Sequence, residues 1–552
     1  MNESADFVMY WWDRAAELLT RKATVLRRFG LVTTNSISQV FQRRVLERHF
    51  HAAKPMSLVM AIPDHPWTKV THDAAAVRIS MTVGEAGAKE GVLLEVTHEA
   101  GLDTDTPLVD LVEKRGPINS DLTVGVDVTT AVALKANEGM SSPGVKLHGA
   151  GFIVTRSQAE HLGLCRRVGL ERHIREYRNG RDLTSHPRQV MVIDLFGLDA
   201  DEVRRRFPEV YQHVLTTVKP ERDNNNRETY RATWWVFGEP RRELRPALPG
   251  LPRYVATVET MQHRVFVFLD ASILPDNRLI VLGSDDPFHL GVLSGRIHVV
   301  WALACGGTLE DRPIYTKSRC FDPFPFPATD DLQKQRVRAI AEDLDAHRKR
   351  VLAEHPHLTL TGLYNVLERL RAGIAPDALE PVERRIFDDG LVLILKELHD
   401  KLDAAVADAY GWPADLSDGD ILARLVTLNK ERAKEEARGL VQWLRPDYQI
   451  PRFGTPKEKA ELELVGGAMG AGAEAGPAAK IAFPTDDIAQ TAAVMSALAV
   501  ASGPLDAATV ASRFKQGRKI APKVAAVLAA LARMGFVDSA DGGRTFILRR
   551  AA

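Results

Sequence analysis

Residues 165–188 have the most unusual local composition of the chain, with seven arginines and three acidic residues. The planar guanidinium of arginine forms two-point hydrogen bonds with phosphates and guanine edges, and neighbouring aromatic or amide side chains can stack or donate. The candidate DNA-binding residues of this segment are Arg175, Tyr177, Arg178, Asn179 and Arg181. Asn179 and Gly180 predict a tight turn that presents Arg178 and Arg181 on opposite sides of a loop. Composition alone leaves open a solvated arginine face paired with the segment's own acids.

A second polar segment, residues 218–235, combines four cations with three consecutive asparagines and three aromatic residues. Asparagine and arginine are the side chains that read adenine and guanine edges in the major groove. The candidates here are Lys219, Arg222, Asn225, Arg227 and Arg231. The alternative is a polar loop followed by a core tryptophan pair, and for Trp234 and Trp235 we prefer that interpretation.

Two smaller groups of residues could also contact nucleic acid. Trp67 ends the string DHPW, where a tryptophan could stack on an extruded base or simply cover the edge of a sheet. Near the C-terminus, four basic side chains surround the turn into a predicted helix, where phosphate contacts are common. They are Lys515, Arg518, Lys519 and Lys523. A protein-binding role for this second group stays open.

The sequence assigns no catalytic residue and no metal ligand. It lacks the G-x-S-x-G, G-x-x-x-x-G-K-[ST] and H-E-x-x-H strings, and its seventeen histidines do not cluster at metal-binding spacing. The three cysteines cannot form a disulfide framework, and none lies in a C-x-x-C pair. The 552 residues carry 72 Lys+Arg and 72 Asp+Glu, which excludes a uniformly basic coating protein and confines nucleic-acid contact to local patches. No apolar run reaches about 18 residues, so we expect a cytoplasmic protein without membrane contact.

The elements that must position these residues predict a multidomain α/β and α+β chain. Residues 1–115 alternate helix (7–19, and 37–50 capped by Ser36) with strands at 29–35, 57–63, 75–84 and 91–97, which is typical of the last half of an α/β sheet. Residues 116–328 show short strands between turns and predict a mixed α+β domain. Residues 329–455 are helical by periodicity.

The C-terminal part is predicted to follow a linker. Residues 456–482 include a Gly/Ala-rich stretch with almost no charge, which is typical of a flexible connection. Residues 483–552 predict three helices, at 487–501, at 504–514 and from Pro522 to before Gly535, followed by a hairpin whose turn holds Asp541 to Gly543. That order is typical of a winged helix-turn-helix domain.

A series of strings resembles one family in the same order along the chain: ADFVMYWWDRAAELL, RRFGLVTTNSISQVFQRRVLE, LVMAIPDHPW, AAVRISMTVGEAG, LHGAGFIVT, HIREYRNGRDL, KPERDNNNRETYR, LPRYVATVET and IYTKSRCFDPFPFP. They are similar to the later part of class I, S-adenosylmethionine-dependent, adenine-N6-specific DNA methyltransferases of the MmeI-like kind, from restriction-modification and phage-defence systems. The resemblance covers roughly residues 5–450. It implies a partial Rossmann-like methyltransferase sheet, with FGLVTTN as a mid-sheet strand. It also implies a target-recognition domain at 116–328 and a helical region beyond it.

The resemblance also implies which functional groups this chain holds and lacks. By position Trp67, or else His65, matches the aromatic that packs on the flipped adenine. The Gly-containing loop that holds the methyl donor and the (N/D/S)PP(Y/F) loop that holds the adenine amino group have no match, since IPDHPW and DPFPFP differ from both. We therefore expect the chain to start just after the catalytic loop. Alone it should be inactive, and should use S-adenosylmethionine only with a partner chain that carries the N-terminal methyltransferase half.

Three hypotheses follow from the sequence. The first is the C-terminal, target-recognising part of a site-specific DNA adenine-N6 methyltransferase that binds double-stranded DNA. The second is a non-enzymatic, sequence-specific DNA-binding protein that uses the arginine-rich segments and the winged helix. The third is an interaction scaffold in which the basic segments are only solvated surfaces.

Overall fold

A computed structural model describes residues 5–67, 77–102, 104, 106–309, 312–469, 483–484, 486–499, 505–533, 536–539 and 544–548. The chain divides into two compact units, residues 1–453 and residues 454–552. The predicted mixture of α/β and α+β structure is present, with several sheets and many helices in the first unit.

The first unit begins with a five-stranded sheet and two helices. They are α1 (Val8–Thr20), β1 (Arg28–Thr34), α2 (Val40–Phe50), β2 (Met56–Pro66), β3 (Arg78–Ala86), β4 (Gly91–Ala100) and β5 (Leu108–Gly116). The strand order is β1-β3-β2-β4-β5, in which β3 is antiparallel to both neighbours and β2 is parallel to β4. Strands β1, β2 and β4 therefore end at the same edge of the sheet.

Two expectations for this sheet differ from the structure. FGLVTTN forms β1, which is an edge strand of the described sheet rather than a mid-sheet strand. Ser36 does not cap α2, because residues Asn35–Ser38 form a separate 3-10 turn and Ser36 Oγ donates to Asp6 Oδ2 at 2.8 Å. The first two residues of the predicted strand 75–84, Ala75 and Ala76, lie outside the described residues.

Helix α1 packs one face on the sheet and leaves the other exposed. Met9, Trp12, Ala16 and Leu19 recur at helical spacing and are buried, because they cover the apolar side of the strands. Trp12 also donates from Nε1 to Thr82 Oγ1 at 3.3 Å. The opposite face carries an exposed aromatic cluster, Phe7, Tyr10 and Trp11, whose rings pack only on one another among the described aromatic contacts.

The middle of the first unit is α+β, as the short strands predict. Its strands are β6 (Ser141–Pro143), β7 (Ile153–Val154), β8 (Ile174–Arg178), β9 (Met191–Ile193), β10 (Arg253–Val258), β11 (Val267–Asp270), β12 (Leu274–Pro275), β13 (Leu279–Leu282), β14 (Thr308–Leu309) and β15 (Arg312–Pro313). Its helices are α3 (Arg156–His161), α4 (Gly180–Thr184), α5 (Ala200–Arg206), α6 (Pro208–Thr217), α7 (Lys219–Asp223), α8 (Glu228–Ala232), α9 (Pro287–Ser294) and α10 (Arg296–Gly306). Two four-stranded sheets organise it, in the orders β11-β10-β13-β6 and β12-β8-β9-β7.

Six helices complete the first unit and share a hydrophobic core with the sheet of β10. They are α11 (Asp331–Glu354), α12 (Leu360–Arg371), α13 (Pro381–Asp389), α14 (Val392–Tyr410), α15 (Asp418–Ala437) and α16 (Pro446–Phe453). Tyr254, Phe268 and Trp301 lie in one buried cluster with Leu344 and Leu395. The packing is therefore continuous across the boundary that the sequence predicts at residue 328.

Three polar side chains of these helices hold the backbone that leads into β6. Asn429 accepts from Val132 N at 3.0 Å and donates to the carbonyls of Val132 and Pro323 at 2.8 and 2.6 Å. The Glu436 carboxylate accepts from two amides, and Gln449 donates to two carbonyls, all within residues 135–138. We call Asn429, Glu436 and Gln449 the polar clamp.

The second unit is small and has its own core. It contains α17 (Pro456–Met469), α18 (Asp487–Ala499), β16 (Leu505–Asp506), α19 (Ala507–Ser512), α20 (Ala521–Arg533), β17 (Val537–Asp538) and β18 (Thr545–Leu548), with the antiparallel sheet order β16-β18-β17. The first half of the predicted linker, 456–469, is thus helical, since its Lys, Glu, Ala and Leu residues favour helix. Residues 470–482 and the predicted hairpin turn at 541–543 lie outside the described residues.

No described helix is long and apolar enough to cross a membrane by itself. Helices α9 and α10 pass that test only as a pair, by length and composition, and a bend of 63° separates them.

Candidate nucleic-acid interface

The arginine-rich segment 165–188 lines a groove of about 1070 Å³ on the first unit. Its walls come from β8, from the loop before β10 and from the connection between β11 and β12. Five arginines line the groove: Arg156, Arg172, Arg175, Arg178 and Arg245. A cleft of this size with several guanidinium groups can accommodate part of a nucleic-acid backbone.

Two of the predicted binding residues build the groove wall instead of facing a ligand. The Arg175 guanidinium donates to the backbone carbonyls of Ala271, Ser272 and Ile273 at 2.5–3.1 Å, and burial lowers its pKa. The Tyr177 hydroxyl donates to the Asp276 carboxylate, and burial raises the pKa of that hydroxyl. Arg175 and Tyr177 therefore fasten β8 to residues 271–276.

The predicted tight turn at Asn179 and Gly180 is the start of helix α4. Asn179 Oδ1 accepts from Asp182 N at 3.1 Å, and Asp182 Oδ2 accepts from Asn179 N at 2.8 Å, which is a capping box. A Cβ on Gly180 would lie 2.7 Å from Val258 Cγ1, so glycine permits the close packing of α4 on β10. The helix, rather than a loop, decides where the flanking arginines project.

Arg178 and Arg181 differ in how free they are to bind. Arg178 is half-buried and donates from Nε to Glu176 Oε1 at 2.7 Å. Arg181 is exposed on α4 and has no side-chain partner among the described residues. It lines a second groove of about 600 Å³ together with Gln262, Arg278 and Arg312. Arg181 is therefore the available cation of the YRNGRDL string.

The second predicted segment is mostly bonded to itself. Arg222 is buried, donates to the carbonyls of Leu147 and Val236, and stacks 4.9 Å from the centre of the Tyr230 ring, while burial lowers its pKa. Lys219 pairs with Asp223 at 2.6 Å. Arg227 and Arg231 remain exposed, although Arg227 donates to the Tyr230 hydroxyl and Arg231 to the backbone carbonyl of Asn225.

The tryptophan pair of this segment belongs to the core, as we prefer from the sequence. Trp234 is buried against Tyr211, and Trp235 donates from Nε1 to the Leu198 carbonyl at 2.9 Å. Trp234 is therefore a core residue, and Trp235 is a half-buried ring packed beside it.

A polar cluster lies at the edge where β1, β2 and β4 end. Arg78 bridges Asp64 at 2.6 Å and Glu99 at 2.6 Å, and Asn35 donates to Asp64 at 3.1 Å. The Arg78 guanidinium holds the pKa of the Glu99 carboxyl below its usual range through its hydrogen bonds. In open α/β sheets, ligands bind outside the carboxyl ends of the parallel strands. Asn35 and Arg78 are not among the site residues predicted from the sequence. The end of a β-branched run at Asn35 could have indicated this edge.

Trp67 follows β2 at this polar edge. Its ring is 48% exposed, and its backbone N donates to the Val77 carbonyl at 3.0 Å, which fixes the chain where β2 ends and the segment before β3 begins. His65 is half-buried beside it, with Nδ1 2.7 Å from the Pro66 carbonyl. Of these two side chains, Trp67 is the one that presents a large exposed ring.

The methyl donor implied by the resemblance does not fit this edge on its own. Residues 35–39, NSISQ, connect β1 to α2 and contain no glycine. The hydrogen bond from Ser36 to Asp6 holds this connection against the start of the chain. Donor loops need close backbone approach, which glycine provides. Between β1 and α2 the described residues therefore include no glycine loop that could hold a methyl donor.

Basic side chains of the second unit surround the entry to α20. Lys515, Lys519 and Lys523 are exposed and have no ion-pair partner in the described part of the unit. Arg518 lies among them in the sequence, but its side chain lies outside the described residues.

Three known proteins or protein families are similar to parts of this chain. Residues 130–328 match the model of the MmeI target recognition domain. A solved structure of the type IIL restriction-modification enzyme MmeI in complex with DNA has a TM-score of 0.57 at 21% identity, covering 77% of this chain and 52% of that chain. DNA methyltransferase A of Bacillus subtilis (strain 168) is 30% identical over 162 residues, which is 29% of this chain and 15% of that protein.

The chain thus spans about half the length of the MmeI chain and a smaller share of the Bacillus protein. The resemblance drawn from the sequence motifs is confirmed: residues 130–328 are similar to the MmeI target recognition domain, the fold of the chain is similar to that of the type IIL enzyme MmeI, and 162 of its residues are similar to a DNA methyltransferase.

Proposed function

We propose that this chain recognises a specific site in double-stranded DNA, as the target-recognising part of an S-adenosylmethionine-dependent adenine-N6 DNA methyltransferase of the cytoplasm. The observation that carries the proposal is that the segment matching a target recognition domain also holds two arginine-lined grooves. Arginine forks at a groove can bind phosphates and read guanine, which is what target recognition requires.

The proposal is tested by substituting Arg181, which lines the second groove. Arg181→Ala is expected to weaken binding to the preferred duplex by about 1–3 kcal/mol and to relax the preference at one base pair. The preferred site is first selected from a pool of random duplexes by the unaltered protein, and affinities are then measured by fluorescence anisotropy. Arg178→Ala should cost less, because Arg178 is already paired with Glu176.

Arg385→Ala provides the matched control, because this exposed arginine lies on α13, outside residues 130–328. It should bind the selected duplex as the unaltered protein does. Equal affinities for the Arg181 and Arg385 variants would mean that YRNGRDL is a solvated surface and does not read DNA.

We further propose that methyl transfer needs a partner chain that supplies the donor loop and the catalytic loop. Within the described residues no strand pairs with the outer edge of β1, and such an edge is a template for another strand. The exposed aromatic cluster, Phe7, Tyr10 and Trp11, lies on α1, which packs against β1, and it offers apolar surface to the same partner.

Co-expression tests this partner directly. A chain carrying both missing loops, expressed with this one, should methylate adenine in plasmid DNA, whereas either chain alone should not. Trp11→Ala should lower methylation, and Arg14→Ala on the same helix should not. Unmethylated plasmid in the presence of both chains would leave the second candidate, a non-enzymatic sequence-specific DNA-binding protein, which the arginine-lined grooves support by themselves.

Within the assembled enzyme, this chain would help to hold the adenine that is methylated. We propose that the Trp67 ring stacks on the extruded adenine at the polar edge of the first sheet. Stacking of a base on an aromatic ring contributes roughly 1–3 kcal/mol. Because the base is extruded only after the site is bound, the loss should affect turnover more than binding.

Trp67→Ala is therefore expected to lower the methylation rate of the co-expressed pair about tenfold, while the affinity for target DNA stays within about twofold. Trp67→Phe should retain most of the rate, since it keeps a stacking ring. An unchanged rate for Trp67→Ala would assign this residue to covering the sheet edge.

We also propose that residues 483–552 form a winged helix-turn-helix domain. The order of α18, β16, α19, α20, β17 and β18 supports this, as does the sheet order β16-β18-β17, in which the last strand lies between the other two. Strand β16 was not expected from the sequence, because it has only two residues.

A further inference from the structure

Positive charge is concentrated in one stretch of the second unit although the whole chain is neutral. Residues 505–533 contain six Lys and Arg residues and one acid, Asp506, while the chain holds 72 of each sign. Asp506 is engaged as the cap of α19, where its carboxylate accepts from Thr509 N at 2.7 Å. The local excess of cations is therefore not neutralised within this stretch, and it favours a polyanionic partner.

The cations fall into structural and available groups. Arg513 donates to the Ala497 carbonyl at 2.7 Å and so joins α19 to α18. Lys515, Lys519 and Lys523 are exposed around the turn into α20, without ion-pair partners among the described residues. Lysine is a compact, strongly hydrated charge that suits phosphate groups and carries no base-reading geometry of its own.

The outer face of α20 offers little with which to read a base. Val524, Leu528 and Leu531 face the core of the unit. The exposed positions between the end cations are Ala525, Ala526 and Ala529. Bases are distinguished by hydrogen bonds from arginine, asparagine, glutamine and similar groups, and alanine provides only a methyl contact to thymine.

We infer that the second unit is a sequence-independent DNA anchor that binds backbone phosphates of the duplex through Lys515, Lys519 and Lys523. We propose DNA as the polyanionic partner because the same chain carries a segment similar to a target recognition domain. Tethering an anchor to a recognition unit raises the effective concentration of DNA at the latter without any additional base contact. This benefit rests on the proposed function, whereas the phosphate binding does not.

The test uses the full chain with the triple substitution Lys515→Ala, Lys519→Ala and Lys523→Ala. Each phosphate contact contributes about 0.9 to the slope of log Kd against log salt concentration. The triple variant should therefore lose two to three from that slope, roughly, and should weaken target and non-target duplexes by the same factor. The preference for the target, which is the ratio of the two affinities, should not change.

The triple variant Lys396→Ala, Lys401→Ala and Lys430→Ala is the matched control, because it removes the same net charge from one half-buried and two exposed positions on α14 and α15. It should keep the original slope. Far-ultraviolet circular dichroism verifies that both triple variants are folded. The two proposals can be contradicted independently. A protein that binds target and non-target duplexes equally well would contradict target recognition. The salt dependence of its binding would still show whether the three lysines contact phosphates.

Two results would overturn the anchor. An unchanged slope on the non-target duplex would mean that the three lysines serve another anion, such as an acidic protein surface. A loss confined to the target duplex would mean that the unit reads sequence.

Discussion

Lowering the pH from 7 to 5 is expected to destabilise the first unit by about 4 kcal/mol through two buried histidines, His289 and His298, and a third, His399, acts in the same direction. Burial lowers the pKa of His289 to about 4, that of His298 to about 3, and that of His399 well below its ordinary value. His289, His298 and His399 bond to the hydroxyls of Ser284, Tyr315 and Tyr364, respectively, which do not stabilise an imidazolium as a carboxylate partner would.

The sign follows from the depressed pKa values. In the unfolded chain these imidazoles bind a proton near pH 6.5, whereas in the folded unit His289 stays neutral until about pH 4 and His298 until about pH 3. The unfolded state therefore gains protons first, and stability is lost as the pH falls from 6.5 toward 4. His289 and His298 each account for about 2 kcal/mol between pH 7 and pH 5.

Urea unfolding followed by near-ultraviolet circular dichroism at pH 7, 6 and 5 measures this effect. His298→Phe should remove about half of the roughly 4 kcal/mol that His289 and His298 contribute, whereas His51→Gln, at an exposed position, should leave the pH dependence as it is. A midpoint that does not move between pH 7 and pH 5 would show that these imidazoles are charged or hydrated in the folded unit.

Removing Asn429 from the polar clamp is the substitution expected to cost most stability, about 3 kcal/mol. The side chain is fully buried and makes three hydrogen bonds, to Val132 N and to the carbonyls of Val132 and Pro323. Asn429→Ala leaves the buried Pro323 carbonyl and the partly buried amide and carbonyl of Val132 without these partners, and an unsatisfied buried group costs about 1–3 kcal/mol. Urea unfolding at pH 7 gives the difference in the free energy of unfolding.

Two further substitutions separate the hydrogen bonds from packing. Lys430→Ala, at the next and exposed position of α15, should change stability by less than about 0.5 kcal/mol. Asn429→Asp keeps the volume but places a carboxylate against two carbonyl oxygens, so it should be at least as harmful as alanine. Tolerance of aspartate would mean that the clamp acts through packing alone.

Helices and strands were predictable from the sequence where the spacing of apolar residues marks the buried face of the element. The helical spacing of Val337, Ile340 and Leu344 predicts α11, and the apolar runs at 57–63 and 91–97 predict β2 and β4. Strand β5 escaped because its string LVDLVEKRG is exposed along most of its length and shows no alternation. Asn179-Gly180 was assigned to a turn although the Asp three residues after Asn179 also fits a capping box, and the longer-range packing of α4 on β10 decides between the two.

The sequence indicates which segments are rich in candidate binding residues. It does not indicate which of their arginines are free and which are bonded to the protein's own backbone. The two segments rich in arginine and asparagine do lie within residues 130–328. Arg175 and Arg222, however, are held by backbone carbonyls of residues 271–273, 147 and 236. Every residue type has a carbonyl, so such partners leave no mark in the sequence, and a buried structural arginine cannot be told there from a free one.

The buried cluster that joins both sides of residue 328 bears on how new specificities can be grafted. An exchange of residues 130–328 with a relative would import Tyr254, Phe268 and Trp301 and leave Leu344 and Leu395 behind, although these side chains fill one volume. The seam of such a chimera would run through close-packed side chains instead of through a linker. A graft that keeps the fold therefore needs to travel with helices α11 to α16, or to keep the host's residues wherever the two halves touch.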